Sequence, residues 1–482
     1  MKKIFYCVII IMILTAVAVS AADTRAIDED MLRKFETDCQ KALADETVIN
    51  AVTNNSLNSL TVNHDLITHH DKFFNVKLKS SGVTNQKSSG RCWLFATLNV
   101  FNQKIARQLN HEKFELSQPY LTFWDKMEKA NVFLEDIIDY IDYPLDSREM
   151  ATILRHPFGD GGQWMYAVNL IAKYGAVPIA AMPETKQSVA TGTINNLAGM
   201  KLKGFAAELR KMYAEGKKIS DLRKRKADML SEIYKLMVFN YGQPPKEFVF
   251  RYEQKDRDEQ DSEDSSKTEN KKPPVYISET HTPKTFLEKY IAKDLLEYIS
   301  LIDYPTRPYD QTYRWQWGNL AEQPQISSLN LPVAKLKEYT MKMLLDSLAV
   351  CFACDVGWGN LTDSGIFAYD MYEYDKVLDV DFTVSKADRV DYREGAANHM
   401  MVIIGVDTTA QGQPVKWLVE NSWGDKRGDK GFWYMYDNWF DEYVYEVIID
   451  KKYLTDEDRK SFEKEPVSLP LWDYFYNELI KK

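Results

Sequence analysis

Cysteine is scarce in this chain. Cys7, Cys39, Cys92, Cys351 and Cys354 are the only five in 482 residues, too few to hold so large a chain together by disulfides. Histidine is also scarce, with seven. His64, His69 and His70 cluster, but no cysteine or carboxylate stands at a fixed ligand offset from them, so they read as surface residues. Cys351 and Cys354 have redox-motif spacing, yet no third and fourth ligand completes a zinc set. Their apolar setting, from Leu348 to Cys354, reads as a buried strand, with a redox or metal-binding protein using this pair as the rival. An excess of basic charge is also missing. Lys and Arg total 61 against 71 acidic residues, a net charge of −10, which argues against a nucleic-acid binder. The local runs Arg210-Lys211 and Arg223-Lys224-Arg225-Lys226 read as solvated helix faces. Beyond the first twenty residues, no apolar run is long enough to span a bilayer.

The N-terminus is the exception. Lys2-Lys3 precede a run from Ile4 to Val19 that is apolar apart from Tyr6, Cys7 and Thr15. Ser20-Ala21-Ala22 follow, then charges from Asp23. This is the order of a secretory signal peptide over 1–22, which predicts a periplasmic or secreted protein, free of the membrane after cleavage. A membrane-anchored protein with an uncleaved signal is the alternative. The remainder, 45% hydrophobic and 27% charged overall, has the balance of a folded chain with room for two or three cores or one large elaborated domain.

Short helical patterns and polar turns fill 23–80. From Cys92 to Leu109 the apolar residues Leu94, Leu98, Phe101, Ile105 and Leu109 share one helix face, and Gly90 just before them marks the turn that delivers Cys92 to the helix N-terminus. There the backbone N–H groups and the helix dipole favour a thiolate. Asp160-Gly161-Gly162-Gln163-Trp164 opens a helix over about 165–174, its glycines allowing another backbone close. Amphipathic helices are expected over 194–217, 222–238, 285–302 and 332–349, and an exposed polar loop over 253–274. Past Asp355 the pattern turns to short strands at 400–406, 416–420, 431–436 and 443–450. His399 immediately precedes the first, Asn421 follows the second, and adjacent antiparallel strands would bring the two together.

Cys92, His399, Asn421 and Gln86 form the four parts of a thiol acyl-transfer site: a nucleophile, a general base and acid, an amide that orients the imidazole, and a donor to the oxyanion. Their surroundings resemble the bleomycin hydrolase and aminopeptidase C branch of the papain-like cysteine peptidases. The likeness is carried by Asn85-Gln86-Lys87-Ser88-Ser89-Gly90-Arg91-Cys92-Trp93, Asp160-Gly161-Gly162-Gln163-Trp164, Met182-Pro183-Glu184-Thr185, Cys354-Asp355-Val356-Gly357 and Val419-Glu420-Asn421-Ser422-Trp423-Gly424. His399 lies 307 residues after Cys92, against about 130–150 in simple papain-like chains. The excess matches the large helical insertion of that branch.

The resemblance implies an α+β papain-like fold, with a helical part, an antiparallel barrel-like β part, a helical insertion and a C-terminal arm. The corresponding segments are 23–80 (N-terminal extension), 81–184 (helical part with Cys92), 185–345 (insertion), 346–455 (β part with His399 and Asn421) and 456–482 (arm). It also implies that Gln86 and the Cys92 N–H form the oxyanion hole, and that Gly161 and Gly162 pair with substrate backbone. Trp423, placed with the substrate-binding residues, shields the His399–Asn421 bond. The implied activity is that of an aminopeptidase acting on peptides through a thioester, without a cofactor, in a homohexamer whose C-terminal carboxylate meets the substrate amine. Here Leu469-Pro470-Leu471-Trp472-Asp473 matches that arm, but Tyr474 to Lys482 departs from it and ends on two lysines. An endopeptidase or oligopeptidase of the same fold is therefore a second expectation. An inactive scaffold is disfavoured because every catalytic part is present.

Overall fold

A computed structural model describes residues 25–43, 45–254, 275–316, 318–322 and 326–476. The expected signal peptide, residues 255–274 of the expected polar loop and the last six residues of the arm lie outside these. The chain divides into two compact units, one reaching to Val62 with Glu373–Phe382, the other comprising Asn63–Tyr372 and Thr383–Lys482. In the first, Asp45 caps the helix Glu46–Asn54 through the Thr47 and Val48 N–H groups. The segment Tyr374–Leu378 joins it through Tyr374, whose hydroxyl donates to Asn58 (2.8 Å).

Every candidate site residue lies in the second unit. Its helices include α1 (Cys92–Leu109), α2 (Gln118–Asp139), α3 (Trp164–Tyr174), α4 (Gly192–Ala214) and α5 (Ile219–Tyr241). Its main strands are β1 (Tyr298–Ile302), β2 (Gln311–Trp315), β3 (Ser327–Asn330), β4 (Val350–Cys354), β5 (His399–Thr408), β6 (Pro414–Glu420), β7 (Phe432–Tyr436), β8 (Val444–Asp450) and β9 (Val467–Leu469). They form one mixed sheet, in the order β9-β2-β3-β1-β8-β4-β5-β6-β7, extended past β7 by the short strands Ile366–Phe367 and Asn360–Leu361. The pairs β4–β5, β5–β6 and β6–β7 are antiparallel.

α1 is more deeply set than its apolar stripe predicts. Besides Leu94, Leu98, Phe101, Ile105 and Leu109, it buries Trp93, Phe95, Thr97, Asn99, Asn102 and Gln103. It packs on β5 along one side and on α2 and α3 along others, so every residue from Cys92 to Gln103 is buried, and only the last turns expose Arg107 and Gln108. Two of its asparagines find internal partners, as burial requires: Asn99 donates to Glu420 (2.9 Å) and Thr84 (3.0 Å), and Asn102 accepts from the Leu116 N–H. α2 is started by Ser117, which accepts from the Tyr120 N–H, with Pro119 in the first turn where no donor is missed. α5 buries Leu222, Met229, Ile233, Met237 and Tyr241, one stripe at helical spacing.

The stretch 185–345 carries the expected helices and, in addition, strands that periodicity alone did not reveal. Phe248–Gln254 and Val275–His281 pair as an antiparallel ribbon on either side of the polar segment, so Glu253 and Gln254 belong to a strand and not to the loop. The expected helix over 285–302 stops at Tyr290, and Tyr298-Ile299-Ser300-Leu301-Ile302 enters the sheet fully buried between β8 and β3. A short apolar run with two isoleucines suits a central strand as well as a helix, and burial on both faces decides it. The final helix, Val333–Leu345, gives way to β4, whose Cys351 and Cys354 are buried in the expected strand. His64 and His69 are exposed, but His70 is half-buried beside Tyr434 and donates to or accepts from the Tyr436 hydroxyl (3.1 Å). Its neighbours are aromatic, which the sequence spacing does not show.

The arm is anchored to the sheet through Tyr476. β9 runs parallel to β2, Asp473 accepts from Trp315 Nε1 (3.3 Å) and the Tyr304 hydroxyl (3.3 Å), and Phe475 stacks on Tyr304 at 4.3 Å. Tyr476 donates to Glu446 (2.8 Å), a fully buried carboxyl that also accepts from Ser300. Burial pushes the Glu446 carboxyl up to about 7, against the pull of those two donors. A carboxyl raised on folding favours the folded state fully below the unfolded carboxylate range, and that stability is lost as the pH rises through 7. Urea unfolding between pH 5 and 8 should therefore show falling stability, with Glu446→Gln losing roughly 2–3 kcal/mol less over that range. An unchanged pH slope in the variant would contradict this reading.

Candidate active site

Cys92 is the first residue of α1, and Arg91 before it makes no side-chain cap. The helix N-terminal N–H groups are thus left to a negative charge at this point. The turn before the helix is held from three sides. Arg91, buried, reaches Ser89 (2.9 Å) and Glu184 (3.1 Å). Ser88 exchanges backbone hydrogen bonds with Val189 and Thr191. The Gly90 N–H donates to Asp160 (2.9 Å). Met182-Pro183-Glu184-Thr185 and the residues after it therefore serve as the wall on which the Cys92 turn rests.

His399 opens β5 and Asn421 follows β6, its antiparallel neighbour, and the two side chains meet: His399 Nε2 lies 2.9 Å from Asn421 Oδ1. The same oxygen accepts from the Ser422 N–H (2.7 Å), which fixes the amide with its oxygen toward the ring. An amide oxygen cannot donate, so Nε2 carries the proton and Nδ1 is the basic nitrogen. Trp423 lies over this pair, 4.9 Å from the His399 ring, and is itself set edge-on by Trp433 at 5.3 Å. Trp423 is thus packed beside the imidazole that bonds Asn421.

Gln86 is buried, and its side chain is pinned at both ends. Its Nε2 donates to the Ser89 carbonyl (2.7 Å), and its Oε1 accepts from the Ser422 hydroxyl (2.7 Å). An amide nitrogen has two hydrogens, so the second is the one an oxyanion would take. Backbone bonds extend the link: the Gln86 N–H donates to the Ser422 carbonyl (2.8 Å), the Gly424 N–H donates to Thr84 (3.0 Å), and Asn85 bridges Trp423. Gly424 is required here twice over. Its φ is +79°, and a Cβ would stand 2.2 Å from the Asn85 amide.

The structure gives a different reason for Gly162. A Cβ there would come within 2.5 Å of the Trp93 indole, so packing demands this glycine whether or not a substrate approaches. The Gly161 carbonyl accepts from Lys129. Sequence reasoning missed Lys126 and Asn99 as members of this region, and gave Asp160 and Glu420 no role beyond their place in a motif. Polar residues at helical core positions, such as Asn99 and Lys126, were the available sign. Glu420 accepts from Asn99 and Ser80, and burial pushes its carboxyl up to about 7.

Comparisons with known proteins show the family and the fold. The family profile described as the Peptidase C1-like family matches residues 26–475. An aminopeptidase C of Streptococcus thermophilus is 36% identical over 93% of this chain and 98% of its own length. One from Listeria monocytogenes is 37% identical over 92% and 96%. The crystal structure of PepW from Lactobacillus rhamnosis superposes with a TM-score of 0.87 at 38% identity, covering 93% of this chain and 98% of that one. Truncating Gln86 to Ala should lower kcat on a peptide substrate by roughly 100- to 1,000-fold, the usual cost of one oxyanion donor, with Cys92 still alkylated by iodoacetamide. A kcat within a few-fold of the parent would remove Gln86 from the oxyanion hole.

Proposed function

We propose that this chain, which belongs to the Peptidase C1-like family, is a cysteine aminopeptidase of the bleomycin hydrolase type, releasing N-terminal residues from peptides. The observation that carries this is the His399–Asn421 bond, held beside the segment that delivers Cys92 and Gln86. The relatives' name, aminopeptidase C, supports the substrate class.

In this reading His399 Nδ1 takes the Cys92 proton, leaving a thiolate stabilised by the α1 N-terminus. The sulfur attacks the scissile carbonyl carbon. The oxyanion that forms accepts from the Cys92 N–H and from Gln86 Nε2. As the C–N bond breaks, His399 returns the proton to the leaving amine, and a thioester remains. Water, losing its proton to His399, then releases the acyl group and restores the thiol. Asn421 keeps the imidazole in one tautomer throughout, and Trp423 keeps water from its hydrogen bond. Gly161 and Gly162 pair with the substrate backbone beside the nucleophile.

Export through the N-terminal signal, to the periplasm or the outside, belongs to the same proposal and rests on the order of Lys2-Lys3, the apolar run and Ser20-Ala21-Ala22. So does assembly into a homohexamer. Exposed Leu197 and Met200 on α4 and Phe239 on α5, the last 77% accessible, give apolar surface for subunit contacts. Light scattering of the purified protein checks the hexamer, and intact-mass analysis locates the mature N-terminus.

Cys92→Ala should abolish hydrolysis of aminoacyl-coumarin substrates and keep the parental unfolding midpoint, since the thiol is a small part of a large core. Retained turnover would remove the nucleophile assignment. Peptides with a free N-terminus should be cleaved far faster than the same peptides acetylated; equal rates would replace the aminopeptidase with an endopeptidase.

A further inference from the structure

One buried carboxylate joins two loops that are distant in sequence. Asp160 accepts from the Gly90 N–H (2.9 Å), from the Thr191 hydroxyl and from Asn195 Nδ2 (2.8 Å), and it pairs with Lys126 Nζ at 2.8 Å. Lys126 is itself fully buried and donates to the carbonyls of Phe158 (3.0 Å) and Gly159 (2.8 Å). Lys129, one turn along α2, donates to the Gly159 (3.1 Å) and Gly161 carbonyls and pairs with Asp125 at 2.7 Å. The Asp160 carbonyl accepts from Trp93 Nε1 (2.7 Å), directly after Cys92. Burial alone would raise the Asp160 carboxyl, but Lys126 and the surrounding donors hold it well below the usual carboxylate range.

A buried ion pair is weak evidence for stability, because apolar residues of the same volume often do as well or better. What an apolar pair could not do here is accept the Gly90 N–H and tether the 158–161 backbone at the same time. Gly90 ends the turn into α1, and Gly162 packs against Trp93 in the first turn of that helix.

We propose that Asp160 is a positioning residue that, with Lys126 as its counter-ion, sets the Cys92 turn against the Gly161-Gly162 loop. The proposal rests on the peptidase reading for what the site does, and on the hydrogen bonds alone for the geometry. The double variant Asp160→Leu, Lys126→Met removes both charges and the acceptor of the Gly90 N–H, so the net charge is unchanged and no buried ion is left unpaired. A change in Cys92 reactivity then reports geometry.

The experiment measures iodoacetamide alkylation of Cys92 across pH 4–9 by peptide mass spectrometry, with the exposed Cys39 as internal reference, beside kcat, KM and the unfolding midpoint. The expected result is a folded double variant in which Cys92 alkylation at pH 7 is at least 10-fold slower, its pH profile moves upward, and kcat falls by at least 10-fold. Parental alkylation in the folded variant would overturn the proposal. If that variant does not fold, Thr191→Val decides, since it removes one donor to Asp160 and keeps both charges. Alkylation several-fold slower supports the assignment, and parental alkylation overturns it. The alkylation arm needs no turnover, so a chain that proves not to be a peptidase leaves this test standing.

Discussion

The short join between Thr84–Gln86 and Ser422–Gly424 is the constraint on which the site depends. Two backbone hydrogen bonds and the Ser422–Gln86 contact link a segment from before α1 to one from after β6. The first segment leads to Cys92, the second contains the amide that orients His399. Their relative position is therefore fixed within one or two hydrogen bonds of the reacting groups, over a sequence distance that includes the whole insertion. Proximity of this kind converts a rare encounter into a standing geometry, and a misplacement near 1 Å can cost about 100-fold in rate. The two sequence motifs are thus each other's binding sites. Gly424 is glycine because Asn85 occupies the space its Cβ would need.

Below the join lies a layer of buried polar groups. Glu420, the residue before Asn421, accepts from Ser80 and from Asn99 of α1, and Asn99 also meets Thr84. Ordinary side chains of low polarity would fill this volume at less cost in desolvation. A satisfied network instead specifies one register between helix and sheet, because every displaced member would leave a buried donor or acceptor unpaired. Asp160 and Lys126 repeat the arrangement on the helical side. α1 is held in this way along both flanks, and its uncapped N-terminus is the point where the two sides converge.

Much of this was legible in the chain, and the reasons differ by element. Cys92, His399, Asn421 and Gln86 could be named because their chemistry needs particular residue types in particular surroundings. The β5–β6 pairing followed from β-rich segments separated by turns. The strand at Tyr298–Ile302 and the Phe248–Gln254 ribbon did not follow, because a short apolar run fits either regular structure until its neighbours are known. Gly162 shows a subtler limit. Its identity suggested a substrate contact, while the packing of Trp93 already requires it. Asp160 and Glu420 stood inside motifs without a role of their own, and Lys126 stood outside them, because a charged residue is ordinarily taken as exposed and only three-dimensional partners explain why these are not.

In the proposed mechanism Cys92 is a thiolate at neutral pH, stabilised by the α1 N-terminus and by His399. Thiolate absorbance near 240 nm, titrated from pH 3 to 10 in the parent and in Cys92→Ser, isolates this one group. The expected difference spectrum has a midpoint well below the ordinary 8.5 of a free cysteine, moving back toward that value in His399→Ala. A midpoint at or above 8.5 in the parent, unchanged by removal of the imidazole, would contradict it.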